Sequence, residues 1–212
     1  MTFVGKQFPD LEVDAMDEMG DTFKINVLEE AKKNNKKIVL FWYPKDFTYV
    51  CPTELHAFQE ALKEFEDRNT LVIGASCDTP EVHFAWLNTS KDQGGIEGIT
   101  YPILADSNRN LSSILGILDG VEDQYDEESG LVTLKGDNVS YRATYLIDEG
   151  GKVFHESIND MPVGRNVNEY LRMIDAYTHV QKHGEVCPAN WEEGKEAMKG
   201  DSKGVASYLA SH

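Results

Sequence analysis

Apolar residues recur along this chain with two different periods. Ile38 to Tyr43 is a short β-branched and aromatic run, bounded by Lys36 and Lys37 before it and by Pro44 after it. Such a run predicts a buried strand. From Pro52 the period changes. Leu55, Phe58, Leu62 and Phe65 share one face of a helix predicted over 52–68. Leu71 to Ala75 predicts a second buried strand. Asp78-Thr-Pro-Glu81 then offers a cap, a Pro for the first turn and an acid beside the helix start, and Val82 to Leu87 carries that helix on. Strand, helix, strand, helix in this order predicts a parallel core sheet with helices across it.

The flanking segments are less regular. Residues 1–20 read as short extended pieces and turns. Phe23 to Asn34 includes a helix with Val27, Leu28 and Ala31 inward. Gly94-Gly-Ile-Glu-Gly98 is a loop, Tyr101 to Ala105 a short strand and Asn108 to Leu115 a short helix. Residues 119–128 hold six acids and no Lys or Arg, and read as a solvated loop. Tyr141 to Asp148, Glu149-Gly-Gly151 and Lys152 to Ser157 give a β-hairpin signal. Asn166 to His183 is a helix with an apolar stripe of Val167, Tyr170, Leu171, Ile174 and Tyr177, ended by Gly184. Residues 185–212 have few large apolar side chains and read as an arm. The chain thus divides into residues 1–165 and a helix plus arm at 166–212.

Composition narrows the functions available. The 212 residues are 41% hydrophobic and 10% aromatic, enough for a packed core. The net charge of −17 argues against a phosphate-backbone partner, which calls for clustered Lys and Arg. No apolar stretch approaches the ~20 residues of a membrane span. The first residues lack a basic region followed by an apolar one, so no signal peptide is read and a cytoplasmic location is expected. Cys51, Cys77 and Cys187 are too few and too scattered for a secreted disulfide scaffold, and no C-x-x-C is present. Few, widely spaced cysteines fit transient redox chemistry in a reducing compartment.

Cys51 stands out among the three. It lies where strand and loop deliver the chain to a helix start, with Pro52 suited to the first turn and Glu54 favourable with the helix dipole. A free thiol titrates near ~8.5, and unpaired N–H groups at a helix start favour the anion, which is the nucleophile. Thr48 can donate to a sulfur anion or to a substrate oxygen, and the Pro44 ring can shield the sulfur from water. A lone cysteine is more often a small buried hydrophobe. Its position between Pro44, Thr48 and Pro52 favours a reactive thiol. Cys77 reads as a buried or half-buried thiol. His179, His183 and Cys187, with Glu185 between, have metal-ligand spacing, but Gly184 and Pro188 break the helix that would align them. No metal or other cofactor is expected.

The run FWYPKDFTYVCPTE, with its Pro44-x-x-x-Thr48-x-x-Cys51 core, resembles the active-site motif of the typical two-cysteine peroxiredoxins, of the alkyl hydroperoxide reductase C type. HFAWLNT at His83, NDMPVGRNVNEYLR at Asn159 and HGEVCPANW at His183 extend the resemblance over nearly the whole chain. It implies a thioredoxin-like α/β fold, a central mixed sheet flanked by helices with a carboxy-terminal arm. It implies peroxidase activity on hydrogen peroxide and organic hydroperoxides. Cys51 would be the peroxidatic cysteine and Cys187 the resolving one, acting from the partner subunit.

By the same resemblance Arg142 is the active-site arginine and Arg165 a supporting one, with Glu54 orienting both. Read without it, Arg142 is equally an exposed strand-edge residue. Trp86 matches a family aromatic near the site and is equally a core residue. The family implies a thioredoxin-like protein or a flavoprotein disulfide reductase as electron donor. It also implies a homodimer joined into a ring-shaped decamer. A redox-regulated chaperone or signalling role is the alternative. Two departures stand out: a longer segment before the Arg142 strand, and Gly94–Gly98 and Tyr208-Leu209 where overoxidation-sensitive members carry other residues.

Overall fold

The computed structural model describes residues 2–120 and 122–211, with backbone only at 122–124 and 133–135. The chain opens with an antiparallel pair, β1 (Glu12–Met16) and β2 (Thr22–Asn26), with Glu12 opposite Asn26. Asn26 then caps α1 (Val27–Asn34), its side chain accepting from the N–H groups of Leu28 and Glu29. Asn35, with φ of 50°, closes the helix. β3 (Lys37–Trp42) follows, with all six residues buried. Then come α2 (Cys51–Glu60), α3 (Leu62–Asp67), β4 (Thr70–Ser76), α4 (Pro80–Leu87), β5 (Ile103–Ala105) and α5 (Asn110–Leu115). β6 (Glu122–Tyr125) and β7 (Val132–Lys135) precede β8 (Arg142–Ile147), β9 (Val153–Asn159), α6 (Val167–His183) and α7 (Ser202–Ser211).

Seven strands form one mixed sheet in the order β2-β1-β5-β4-β3-β8-β9. The middle pairs, β3 with β4 and β4 with β5, are parallel, as the strand–helix alternation predicts. The pairs outside them are antiparallel. The helices between parallel strands are the crossovers that such pairing requires. Alternation along β3 divides its side chains between two faces. Ile38, Leu40 and Trp42 join Ile73, Ala75 and Tyr145 in the main core cluster. Phe41, on the opposite face, stacks on Phe58 of α2 with ring centroids 3.9 Å apart. Val39 and Tyr43 share that period and are fully buried.

Four local expectations change. The helix predicted over 52–68 is two helices, turned at Ala61 (φ −89°, ψ 2°). The apolar stripe runs across the break, because Phe58 and Phe65 still stack at 6.0 Å, so hydropathy does not register the backbone turn. Residues 119–128 are not a plain loop. Glu122–Tyr125 pairs with Val132–Lys135 as a two-stranded antiparallel sheet, and its acidic composition hid a hairpin. At the start of α4 the cap position is Thr79, whose side chain makes no bond to the helix backbone. Asp78 instead accepts from the Asp46 N–H and the Ser76 hydroxyl. The arm contains α7 and a Val186–Met198 bridge, and its Trp191 is buried.

The chain divides into two compact units, Met1–Arg165 and Asn166–His212. The second holds α6, capped by the Asn166 side chain and closed by Gly184 at φ 64°. Val167, Tyr170, Leu171 and Ile174 are its buried stripe, with Tyr177 half-buried. Within this unit Arg172 donates to the Trp191 carbonyl and Trp191 Nε1 to the Lys195 carbonyl. Among the described residues no helix is long and apolar enough to cross a membrane.

Gly151 shows how the β8–β9 turn is specified. Its φ is 86°, and a Cβ there would collide with the Leu28 side chain. Asp148 Oδ1 accepts from the N–H groups of Gly150 and Lys152, tightening the same turn. Gly151→Ala is therefore expected to destabilise the protein by on the order of 2–3 kcal/mol, read from urea unfolding. A change within a few tenths would refute the collision.

Candidate active site

β3 ends inside the protein, and Tyr43 and Pro44 remain buried beyond it. The chain turns through Lys45 to Val50 and enters α2 at Cys51, whose side chain is buried. Pro52 takes an early helix position, where a missing N–H costs nothing. The turn is tight. Phe47 has φ of 55°, in the left-handed region that few non-glycine residues adopt. Thr48 Oγ1 lies 2.8 Å from the Lys45 carbonyl oxygen and 3.0 Å from Cys51 Sγ. The hydroxyl carries one proton and so donates to one of the two at a time.

Three charged side chains complete the site, two of them brought from distant parts of the sequence. Arg142, the first residue of β8, donates from Nη1 to Cys51 Sγ at 3.4 Å and to Glu54 Oε2 at 2.7 Å. Its Nε donates to the Met161 carbonyl at 2.6 Å. Glu54, one helical turn after Cys51, is buried and faces two guanidiniums. Arg165 donates to it from Nε at 2.9 Å and Nη2 at 2.7 Å, and also from its backbone N–H at 2.9 Å. Arg165 Nη1 reaches the carbonyls of Trp42 and Ala143 at 2.9 and 3.0 Å, tying the pair to β3 and β8. Its guanidinium also lies over the Phe41 ring, 5.1 Å from the centroid. Two guanidiniums against one carboxylate leave one positive charge uncompensated within this trio. The next group along Arg142 is Cys51 Sγ.

Not every expected residue meets the sulfur. Arg142 is buried, so the strand-edge alternative falls. Trp86 is a core residue: its Nε1 donates to the Gly94 carbonyl, and its ring packs against Tyr43 and Phe47. Cys77 is buried at the end of β4, and burial pushes its thiol up from the ordinary range, with the Ser112 hydroxyl opposing. Cys187 is half-buried in the second unit, its thiol donating to the Ala176 carbonyl at 3.6 Å. Partial burial, with Glu185 adding to it, pushes that thiol up. All three cysteines are free. His179 Nε2 faces Glu185 at 2.8 Å, and among the described residues no three metal-ligating side chains gather.

The AhpC/TSA family profile matches residues 4–156. The chain belongs to the AhpC/TSA family. The profile of the C-terminal domain of 1-Cys peroxiredoxin matches residues 176–211, the segment that here includes Cys187. Alkyl hydroperoxide reductase C of Helicobacter pylori is 41% identical over 209 residues, covering 97% of this chain and 96% of that protein. A thioredoxin peroxidase of Trypanosoma brucei rhodesiense is 42% identical over 190 residues, covering 90% and 87%. The reduced 2-Cys peroxiredoxin of Plasmodium vivax superposes with a TM-score of 0.87 at 38% identity, covering 99% of this chain and all of that one. The fold is the thioredoxin-like fold of the peroxiredoxins. The protein is an enzyme, a thiol-dependent peroxidase.

Sequence reasoning missed the backbone acceptors, the carbonyls of Lys45 and Met161, which no residue type announces. It also missed Tyr43, Asp46 and His83, which form a buried polar cluster behind the loop. A charged residue in an aromatic-rich stretch, and a histidine in the apolar HFAWL helix, were the signals. Within the site, Glu54→Gln leaves two guanidiniums facing a neutral amide. It should cost about 3–5 kcal/mol in stability, measured by urea unfolding, and a loss below about 1 kcal/mol would mean the trio behaves like a surface pair.

Proposed function

We propose that Cys51 is the peroxidatic nucleophile and that Thr48 and Arg142 hold both it and the peroxide. The observation that carries this reading is the pair of donors on one buried sulfur, at 3.0 and 3.4 Å, with Glu54 behind the second. The Cys51 thiolate attacks one peroxide oxygen, an S–O bond forms as the O–O bond breaks, and the departing oxygen leaves as water or alcohol after taking a proton. Thr48 and Arg142 donate to the negative charge that moves from sulfur onto that oxygen. Arg142 suits the task because its charge does not titrate. Pro44 closes the pocket to water. Glu54 and Arg165 act one step back, fixing the Arg142 guanidinium.

The product is a sulfenic acid, which a second thiol must capture before further oxidation makes the change irreversible. Cys187 takes that role in this reading. Its sulfur attacks the Cys51 sulfenic sulfur, a disulfide forms and water leaves. In a two-fold dimer each chain gives Cys51 to one site and Cys187 to the other. A disulfide needs Cα atoms within about 7 Å, so the first turn of α2 unwinds and the arm from about Glu185 loosens. The functional division thus falls at 1–165 for peroxide reduction and 166–212 for resolution. A thioredoxin-like protein or a flavoprotein disulfide reductase then supplies two electrons. The T. brucei rhodesiense relative, named a thioredoxin peroxidase, supports the first. The enzyme works in the cytoplasm as a homodimer and as a ring of five dimers.

Cys51→Ser should abolish peroxide consumption in an assay coupled to a dithiol donor, and retained turnover would sink the reading. Cys77→Ser should leave turnover intact. One equivalent of peroxide should convert the wild type to a covalent dimer on a non-reducing gel, and Cys187→Ser should lose that band. A monomer band with Cys51 and Cys187 both protected from alkylation would place the bond within one chain. Full turnover by Cys187→Ser would make this a one-cysteine enzyme.

A further inference from the structure

Behind the active-site loop lies a polar cluster that the reaction described above does not use. Asp46 belongs to the loop itself, two residues before Thr48, and is only 3% exposed. Its Oδ1 accepts from the Tyr43 hydroxyl at 2.8 Å, and its Oδ2 lies 2.7 Å from Nδ1 of His83 on α4. Its backbone N–H donates to Asp78 Oδ2, in the connection between β4 and α4, at 2.9 Å. Asp78 also accepts from the Ser76 hydroxyl at 2.9 Å. His83 is fully buried, and its Nε2 lies 3.2 Å from the carbonyl oxygen of Leu104 on β5. The Tyr43 hydroxyl also lies 3.5 Å from His83 Nδ1, and among the described residues these are the polar and charged groups that face the pair from the end of β3, the loop, the β4–α4 connection, α4 and β5.

The proton count follows from the donors. A carbonyl oxygen cannot donate, so His83 Nε2 carries a hydrogen. Tyr43 is held protonated by burial, which pushes its hydroxyl well above the ordinary range, and it donates to Asp46. The short contact between Nδ1 and Oδ2 then needs one further hydrogen, whichever atom holds it. Imidazolium with carboxylate and imidazole with carboxylic acid both satisfy the geometry, and in both the pair is neutral overall. Without that proton, a nitrogen lone pair faces a carboxylate oxygen, and Asp46 and Asp78 become neighbouring anions with no cation among the groups above.

We propose that Asp46 and His83, sharing one buried proton, are positioning residues that hold the Lys45–Thr48 turn so that the Thr48 hydroxyl reaches the Cys51 sulfur. Asp46 is pinned on three sides, by Tyr43, His83 and Asp78, and Phe47 in its left-handed conformation passes that constraint directly to Thr48. The Lys45 carbonyl, at 2.8 Å, competes for the same hydroxyl proton. A turn freed from Asp46 lets that competitor win, and the sulfur and the peroxide lose a donor.

The pair also sets a pH dependence. Burial raises Asp46 from its ordinary value, against the opposing pull of His83. Burial works against a charge on His83, but the Asp46 hydrogen bond and charge and the Leu104 carbonyl outweigh it and raise His83. Both shifts mean that the folded protein holds the proton more tightly than the unfolded chain. The pair's contribution is therefore present at low pH and lost as pH rises through the folded value, above the ordinary histidine range of about 6.5.

The inference rests on Cys51 as the reacting thiol, and stopped-flow rates of peroxide reaction across pH 5 to 10 test it. The wild-type rate constant should fall on an alkaline limb. Asp46→Ala, its fold checked by circular dichroism, should react about 10- to 100-fold more slowly at neutral pH. Asp46→Asn can accept from Tyr43 and donate to a neutral His83, so it should recover to within about threefold of wild type and lose the alkaline limb. In a Thr48→Ala background, Asp46→Ala should add little further loss. If Asp46→Ala does not fold, His83→Gln is expected to slow the reaction and remove the limb. A wild-type rate in Asp46→Ala or His83→Gln overturns the proposal, as does an alkaline limb that persists in Asp46→Asn. So does an undiminished Asp46→Ala effect without Thr48. Turnover in Cys51→Ser would sink the assignment of the thiol as well, whereas a dead Cys51→Ser beside a wild-type-like Asp46→Ala would sink only this one.

Discussion

One buried carboxylate holds this site together. Glu54 lies between Arg142 and Arg165, all three out of water. Burying charges is costly unless each finds a partner and its remaining hydrogen-bonding atoms are satisfied. Here Arg165 meets two backbone carbonyls, Arg142 meets one, and the excess positive charge is directed at Cys51. Removing the carboxylate would strand two cations. The chemistry and the stability of the site therefore draw on the same contacts.

The sheet makes that charge arrangement possible. β3 lies between β4 and β8, so the backbones of β3 and β8 are adjacent where Arg165 caps them through Trp42 and Ala143. The antiparallel pairing of β3 with β8, Phe41 opposite Thr144, brings Arg142 beyond the end of β3 and alongside the first turn of α2. The Phe41–Phe58 stack fixes α2 on the sheet, and Tyr101, edge-on to the same Phe41 ring, donates from its hydroxyl to the Leu55 carbonyl. Cys51 thus begins a helix that is anchored beyond its first turn and held at that turn by side chains. Such a helix can open at its start while the rest stays packed, and the proposed disulfide chemistry relies on that.

The loop before Cys51 is held from behind as well as from the front. In front, Thr48 and Arg142 contact the sulfur. Behind, the Tyr43–Asp46–His83 cluster occupies a pocket without water access, and its hydrogen bonds count only when all its donors and acceptors match. The second unit has a looser economy. Cys187 is half-buried, and the contacts around it include an ion pair between two partly exposed side chains, His179 and Glu185. Exposed pairs of that kind contribute little, which suits the loosening proposed for the resolving step.

The sequence by itself determined the strand at 38–43, the helix start at Cys51, the hairpin turn at 149–151 and the limits of the long helix at Asn166 and Gly184. Each is a local matter of hydrophobic period, proline, glycine or cap chemistry, and such rules act over a few residues. The Pro44, Thr48, Cys51 spacing was legible for the same reason. Tertiary structure alone decided which side of the sheet edge Arg142 occupied, because an arginine at a strand end is exposed or buried according to what packs over it. For Glu54, legible as a helix-dipole acid and by resemblance as the acid orienting both arginines, it supplied the contacts with two guanidiniums 88 and 111 residues away. It turned Trp86 into a core support, broke the 52–68 helix at Ala61 and folded the acidic stretch after residue 121 into a hairpin. It alone brought Asp46 to His83, since two ionisable residues 37 positions apart share a proton only when folding removes the water between them.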